Sequence, residues 1–548
     1  LLTTSREHRS RLGQFVDRAF DKLSRAYAWV LARGMRYPVI VLVASIGLFA
    51  GAAYTFQKLP GEFVPSQDQS RLMVRFTTAV GSNLEETDKI VKQGEQIMLS
   101  KPEVEKCFGV IGSFGTGPVN SAMLFLTLKP RDERKLSQNE FAGVLRKELN
   151  AIPGAKVVVQ DLSQSGFTAQ RGFPVEFSIR GAEWETLVAE SERMKAELAA
   201  SGLVVDIDTD YRLGMPEIQI EPDRKRAADL GISVEEIATA LNSLVGGVRV
   251  GKYSTGGRRV DVRMRLLAHQ RSRPEDLARL HLRTKDGALV PLSSLVKYEE
   301  KPVLQAITRR DRERAITIFG NIAPGKSQSD ALALVEKIGK DVPAGYHVVL
   351  GGASVAFRDS MGGLIFALLL GIAVAYMVLA SQFNSFLHPI TVLTILPLSV
   401  AGAAFALLFT GQTLNIFSMI GILLLMGIVK KNSILLVDYA TELRRQGKGA
   451  LESMLEAGPV RLRPILMTSV ATLMAAVPAS LALGEGSEVR APMAIAVIGG
   501  LIISTALSLL VVPAFYVVAD RVLEWTRRVF RLAKPIEATE PMPPVHGE

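Results

Sequence analysis

The run NIFSMIGILLLMGIVKKNSILLVDYA (Asn415 to Ala440) decides how this chain folds, because it is apolar over the length of a membrane crossing and yet carries two consecutive lysines and an aspartate. An ionisable side chain at the centre of a membrane helix costs about 2.5–3.5 kcal/mol unless it is paired or hydrated. Lys430 and Asp438 are read as lying near a helix end, with heads that snorkel to the lipid headgroups. Lys431 and Asn432 lie deeper, so Lys431 is expected to handle an ion or a proton.

Five further runs of similar character surround this one. The candidate spans are 37–56, 361–380, 388–410, 415–438, 464–483 and 493–518, each long enough for a hydrocarbon core about 30 Å thick. With 548 residues, 48% of them hydrophobic, and a mean hydropathy of +0.23, the chain is expected to be an integral membrane protein. Six spans put both ends on one side. Arg6, Arg9, Arg11, Arg18, Lys22, Arg25, Arg33 and Arg36 precede the first span, and Arg521, Arg527, Arg528, Arg531 and Lys534 follow the last. The bias of such residues to the cytoplasmic side makes both ends cytoplasmic, and Arg444, Arg445, Lys448, Arg461 and Arg463 between the fourth and fifth spans agree. The net charge of +10 is explained by this topology; a nucleic-acid partner would require a solvent-facing basic patch instead.

The first thirty residues are charged, lack an initiating Met and do not form a signal peptide, so the chain reads as a fragment of a longer protein. Phe15, Val16, Phe20, Leu23, Tyr27 and Leu31 recur at helical spacing among basic residues. That pattern fits an amphipathic helix at the cytoplasmic interface, and equally an ordinary helix packed on a missing part of the protein.

About 300 residues without a span separate the first two crossings, and the topology places them across the membrane. The pattern there predicts strand Arg71 to Ala79, helix Leu84 to Leu99, strands Lys106 to Ile111 and Ala122 to Leu128, helix Gln138 to Leu149 and strand Lys156 to Gln160. That order is a split β-α-β, ferredoxin-like unit. A second unit begins with strand Val175 to Ile179, helix Trp184 to Ala200 and strand Val204 to Asp208, and resumes at Ala315 after an insert of about 100 residues. In the insert, Gly246, Gly247, Gly251, Gly256 and Gly257 punctuate a hairpin flanked by Arg249, Lys252, Arg258 and Arg259.

Enzymatic chemistry is not indicated. The six histidines are dispersed, Cys107 is the only cysteine, and Ala323-Pro324-Gly325-Lys326-Ser327 is too short for a phosphate loop. Ser327 reads instead as a helix cap. An ATP-driven mechanism would need another subunit, and no cofactor is expected.

Five strings carry a family resemblance: LPGEFVPSQDQ (59–69), LGISVEEIATAL (230–241), APGKS (323–327), GIVKKNSILLVDYA (427–440) and RLRPILMTSVAT (461–472). Over essentially its whole length the chain resembles the C-terminal half of the inner-membrane pump of a resistance-nodulation-division (RND) efflux system, of the acriflavine-type multidrug subfamily. The resemblance implies a homotrimer in the Gram-negative inner membrane, working with a periplasmic adaptor and an outer-membrane channel. It implies export of hydrophobic and amphiphilic compounds, driven by the proton gradient.

The resemblance also assigns a relay. Lys431 followed by Asn432, with Arg461 and Thr468, would answer two aspartates on the fourth membrane helix of an N-terminal half that this chain does not contain. Arg461 and Thr468 are seven residues apart, so one helix face can carry both. In the first soluble unit the resemblance places a switch loop at Gly109, Gly112, Gly115 and Gly117, with Phe108, Phe114 and Phe125 as pocket aromatics. Ser113 and a single loop Phe depart from the pattern. Phe108 and Phe125 fall on or beside strands, where a core role competes.

The domains expected on this reading are 1–35, an interface helix; 36–57, the first membrane helix; 58–165, a first porter subdomain; and 166–218 with 313–355, a second. A docking insert spans 219–312, a five-helix bundle 356–520, and a basic tail 521–548. Two alternatives are a metal-exporting relative, with Met73, Met123, Met215 and Met264 as ungrouped soft ligands, and a membrane-anchored assembly or translocation subunit.

Overall fold

A computed structural model of the chain describes residues 11–112, 118–162, 172–484 and 486–529. Two helices open it, α1 (Arg11–Arg36) and α2 (Pro38–Lys58), with Pro38 at the first position of α2, where its missing N–H is not needed. The first soluble unit then runs β1 (Arg71–Thr78), α3 (Leu84–Leu99), β2 (Val104–Ile111), β3 (Ser121–Leu128), α4 (Gln138–Leu149) and β4 (Ala155–Asp161). Asn83 and Ser137 cap the two helices, each side chain accepting a backbone N–H from the first turn. The strands form one antiparallel sheet in the order β2-β3-β1-β4. Burial alternates along β3, and Leu72, Val74, Phe76, Leu124, Leu126 and Val159 point to the face covered by Phe141, Leu145 and Met98 of the helices.

The second unit contains β5 (Val175–Gly181), α5 (Trp184–Ser201) and β6 (Val204–Thr209). The insert follows with β7 (Leu213–Pro222), α6 (Arg224–Asp229), α7 (Val234–Leu241), β8 (Val248–Thr255), β9 (Arg258–Met264), β10 (His281–Arg283), β11 (Leu289–Pro291) and β12 (Val296–Leu304). It has its own small core of Ala227, Ile232, Ile237, Leu292 and Leu295. The β8–β9 hairpin stands out from it, turning on Gly256 and Gly257, which both adopt positive φ. The chain returns through β13 (Arg309–Arg310), β14 (Glu313–Ile322), α8 (Gln328–Ile338) and β15 (His347–Leu350), completing a sheet in the order β13-β14-β5-β15 with β6 also on β14.

The membrane part is α9 (Gly352–Phe383), α10 (Leu387–Leu393), α11 (Ile395–Phe409), α12 (Ile416–Arg445), α13 (Ala450–Ser480) and α14 (Arg490–Val529). Counting α10 and α11 as one crossing, six helical segments among the described residues, α2 included, are long and apolar enough to span a bilayer. The break at Thr394 has a local cause, since Pro397 offers no N–H to the Leu393 carbonyl. The chain is a polytopic α-helical membrane protein with a large α/β extracytoplasmic region. Small residues let the bundle close up: a Cβ on Gly402 would lie 2.6 Å from the Gly499 carbonyl oxygen, and one on Gly499 only 2.2 Å from Ala406 Cβ.

Three details depart from the sequence reading. Helix α9 begins one residue after β15 ends and is continuous into the membrane, so that span starts well before residue 361. The 521–548 tail begins as the last turns of α14, and residues 530–548 lie outside the described part. Helix α1 packs on this chain itself and not on a missing part: Tyr27, Leu31 and Met35 are buried against Leu462 and Ile465 of α13 and Leu509 and Val517 of α14, while Leu23, Trp29 and Val30 remain exposed.

Residues 60–63 join the parts. The Gly61 N–H donates to the cap hydroxyl of Ser327, and its carbonyl accepts from Gln328 N–H at 2.8 Å. Phe63 N–H donates to the Gln328 side chain at 2.8 Å. On the membrane side, Leu414 N–H donates to the Pro60 carbonyl and Glu62 N–H to the Leu414 carbonyl, making a parallel bridge between Gly61 and Leu414. Burial pushes the Glu62 carboxyl up, and the Thr413 hydroxyl that donates to it works against that rise.

Candidate functional site

Helix α12 begins firmly. The Asn415 side chain accepts from the N–H groups of Phe417 and Ser418 at 3.0 Å each, and the Ser418 hydroxyl accepts the Asn415 N–H at 2.8 Å. Sixteen residues after the cap come Lys431 and Asn432, which the helix turns in different directions. Asn432 is 4% exposed and points into the bundle, donating to the Ser469 hydroxyl of α13 at 3.1 Å and the Thr505 hydroxyl of α14 at 3.4 Å. Thr505 in turn donates to Ser469 at 3.1 Å, closing a three-helix polar triangle. Lys431 points outward, on an exposed stripe with Leu424, Gly427 and Asp438. No carboxylate lies within ion-pair distance of it among the described residues.

Arg461 and Thr468 share a face of α13 but occupy different depths. Thr468 sits beside the Asn432 triangle through its neighbour Ser469 and donates to its own helix at Ile465. Arg461 lies nearer the cytoplasmic end, with its guanidinium 4.6 Å from the centre of the Tyr439 ring. Asn432 and Tyr439 are seven residues apart, so the two stations are about 10 Å apart along the axis. The sequence-assigned residues therefore form two stations on one edge of the bundle. A cavity of about 190 Å³ opens at the lower one, lined by Gln382, Phe383, Asp438, Tyr439, Glu442 and Arg461 among others, and the Arg461 Nε is buried there without a hydrogen-bond partner. Asp438 is exposed beside this cavity, in keeping with its position near the helix end.

Residues 1–520 match the model of the AcrB/AcrD/AcrF family. The chain belongs to that family. It is a family of RND-type secondary transporters, not of enzymes, and membership makes this a multi-pass inner-membrane protein with a large periplasmic region. Among solved structures the chain is similar to a heavy metal efflux pump, with a TM-score of 0.83 and 25% identity, over 92% of this chain and 53% of the pump. The chain thus spans about half the length of that pump.

This likeness corrects the expected subfamily. The RND family stands, but the assignment to the acriflavine-type multidrug subfamily, its hydrophobic and amphiphilic cargo and the implied antibiotic resistance do not, because the solved pump is one for heavy metals. The physical reason lies in which strings carried the resemblance. GIVKKNSILLVDYA and RLRPILMTSVAT lie on the membrane helices α12 and α13, away from the soluble units, so they carry the family resemblance without describing a cargo site.

The first sheet carries two of the three aromatic residues assigned from the sequence. Phe108 and Phe125 are directly opposite on β2 and β3, their rings 6.4 Å apart and nearly parallel, and they point to the face away from the helices. Phe108 is 58% exposed and so is not core. Gly109 lies inside β2, not in a loop, with the space for a Cβ limited by Leu124 Cγ at 3.3 Å. Gly112 adopts φ +79° where the strand turns. Phe114, Gly115 and Gly117 fall outside the described residues.

Two of the four methionines, ungrouped in the sequence, are grouped by the sheet. Met73 lies opposite Phe125, and Met123 lies opposite Arg75, which makes the two methionines diagonal neighbours on the Phe108–Phe125 face. Ser469 and Thr505 also escaped the sequence reading. Their signal was present only as hydroxyl residues within apolar runs.

Proposed function

We propose that this chain is one half of a proton-driven RND efflux transporter whose cargo is a soft metal cation. The observation that carries the transport reading is the outward Lys431 at membrane depth, with no carboxylate within ion-pair distance among the described residues. A carboxylate brought to that edge by the other half would pair with Lys431 when ionised and release it on taking a proton. The released pair would repack α12, whose capped first turn adjoins Leu414, and Leu414 is tied through residues 60–63 to α8 of the second sheet. That chain of contacts supports coupling between proton uptake and the soluble units.

For the cargo, the heavy metal pump it resembles and the Met73–Met123 pair point the same way. Thioethers select soft ions such as Cu(I). Among the described residues no group of three or more His, Cys, Asp or Glu is placed to hold a metal ion. Cys107 leans on the core side of β2, and burial, with a smaller contribution from Glu95, pushes its thiol up to about 11, so it stays protonated. The working assembly on this reading is a trimer of complete protomers with a periplasmic adaptor and an outer-membrane channel.

The test is metal flux in vesicles holding the full-length protein under an imposed proton gradient. Cu(I) movement should require the gradient, and Met73→Leu with Met123→Leu should reduce it while leaving membrane abundance unchanged. Gradient-independent flux would remove the antiport reading, and flux indifferent to both methionines would remove them from the cargo path.

A further inference from the structure

Helix α14 contains Pro513, which has no N–H to return to the carbonyl four residues earlier, at Leu509. An orphan carbonyl in a packed helix needs a donor. The donor comes from α1: the buried Tyr27 hydroxyl donates to the Leu509 carbonyl at 2.9 Å, across 482 residues of sequence. Burial pushes the phenol up, so it remains a donor at any physiological pH.

The same tyrosine lies on the Arg461 helix. A Cβ at Gly458 would come within 2.7 Å of the Tyr27 hydroxyl and of Leu31, so α13 is shaped to let α1 press against it three residues before Arg461. Leu462 and Ile465, one and four residues after Arg461, complete the apolar contact with Tyr27 and Leu31. Arg463 then reaches back to α1, 3.2 Å from Asp17 and over the Phe20 ring at 5.6 Å.

We infer that α1 is a clamp on the relay helix, in which Tyr27 is a positioning residue that ties the Leu509 carbonyl freed by Pro513 in α14 to the Arg461 segment of α13. The inference rests on the proton-driven reading above and adds a residue to it. Tyr27 acts on the relay only through where it holds Arg461 relative to Asp438, Tyr439, Glu442 and Arg445, which line the same cavity.

The proline supplies its own test, because Pro513→Ala gives position 513 an N–H that can return to Leu509 and makes the tyrosine hydroxyl redundant. Four forms of the full-length protein are compared: unaltered, Tyr27→Phe, Pro513→Ala and the double variant. At matched membrane abundance, Tyr27→Phe should lower gradient-driven transport about three- to tenfold, the kinetic equivalent of one hydrogen bond, and shift the pH of half-maximal transport. Adding Pro513→Ala should restore much of both. An unchanged rate and pH profile in Tyr27→Phe overturns the clamp, and so does a double variant that is merely the product of the two single effects. If the unaltered protein moves no cargo on a proton gradient, the transport reading fails instead. Thermal unfolding of the same four proteins then decides the clamp alone, with non-additive losses supporting it and additive losses overturning it.

Discussion

Two adjacent residues on α12 face two different worlds. Asn432 enters a closed polar triangle in which the amide and two hydroxyls on three helices bond to one another, whereas Lys431, next to it, stands on an open edge with no partner among the described residues. The first soluble sheet repeats the contrast. One face buries Phe76, Leu124 and Leu126 under helices, and the other leaves Phe108 beside Phe125 with two methionines alongside. Closed polar groups of this kind hold an architecture together.

The sharpest way to break the contrast is at Lys431. On the proposed reading, Lys431→Ala in the full-length protein should abolish proton-driven transport, because the carboxylate that would pair with it in the complete protein would be stranded at about 3–5 kcal/mol. Thermal stability of the described fold should hardly change, since nothing in it touches that ammonium group. A Lys431→Ala protein that transports normally at equal abundance would remove the lysine from the transport cycle.

Asn432→Ala should do the reverse. Removing the amide leaves Ser469 and Thr505 with each other alone, and unfolding in detergent should show a loss of about 1–3 kcal/mol. Transport per folded molecule should fall much less than for Lys431→Ala. If stability is unaffected and transport vanishes, Asn432 belongs with the open edge.

The smallest effect is expected at Phe108. An exposed aromatic contributes little to folding, so Phe108→Ala should stay within about 0.5 kcal/mol of the parent, where Phe177→Ala in the second sheet's core should cost about 3–5 kcal/mol. A large stability loss at Phe108 would show that the outer face is covered in the assembled protein.

Much of this architecture was legible because its signals are local. Alternation in Ser121–Leu128, the cap at Ser137 and the apolar runs each depend on residues within one turn or strand. Lys431 was legible for the opposite reason, as a charge where the solvent forbids one. What stayed hidden depended on partners far along the chain. The Met73–Met123 pairing needs the register of β1 on β3, and the Asn432 triangle needs α12, α13 and α14 at one depth. Tyr27 read as one more apolar residue on an amphipathic helix, because nothing near it announces a proline 486 positions later. The cargo was misread because the most specific strings lie in the membrane helices α12 and α13 and carry the family resemblance, not the subfamily.

The junction at residues 60–63 has a consequence in time. Its bonds reach Ser327 and Gln328 in one direction and Leu414 in the other, separations of roughly 270 and 350 residues, so none of them can form while only the first membrane helix has left the ribosome. The segment must wait, with its backbone groups hydrated, until the second sheet has closed and the α11–α12 loop has reached the outer surface. It is therefore a late-forming seam, and substitutions there, such as Gly61→Val against Ser329, should accumulate as inserted but unassembled protein, cleared by quality control before any question of transport arises.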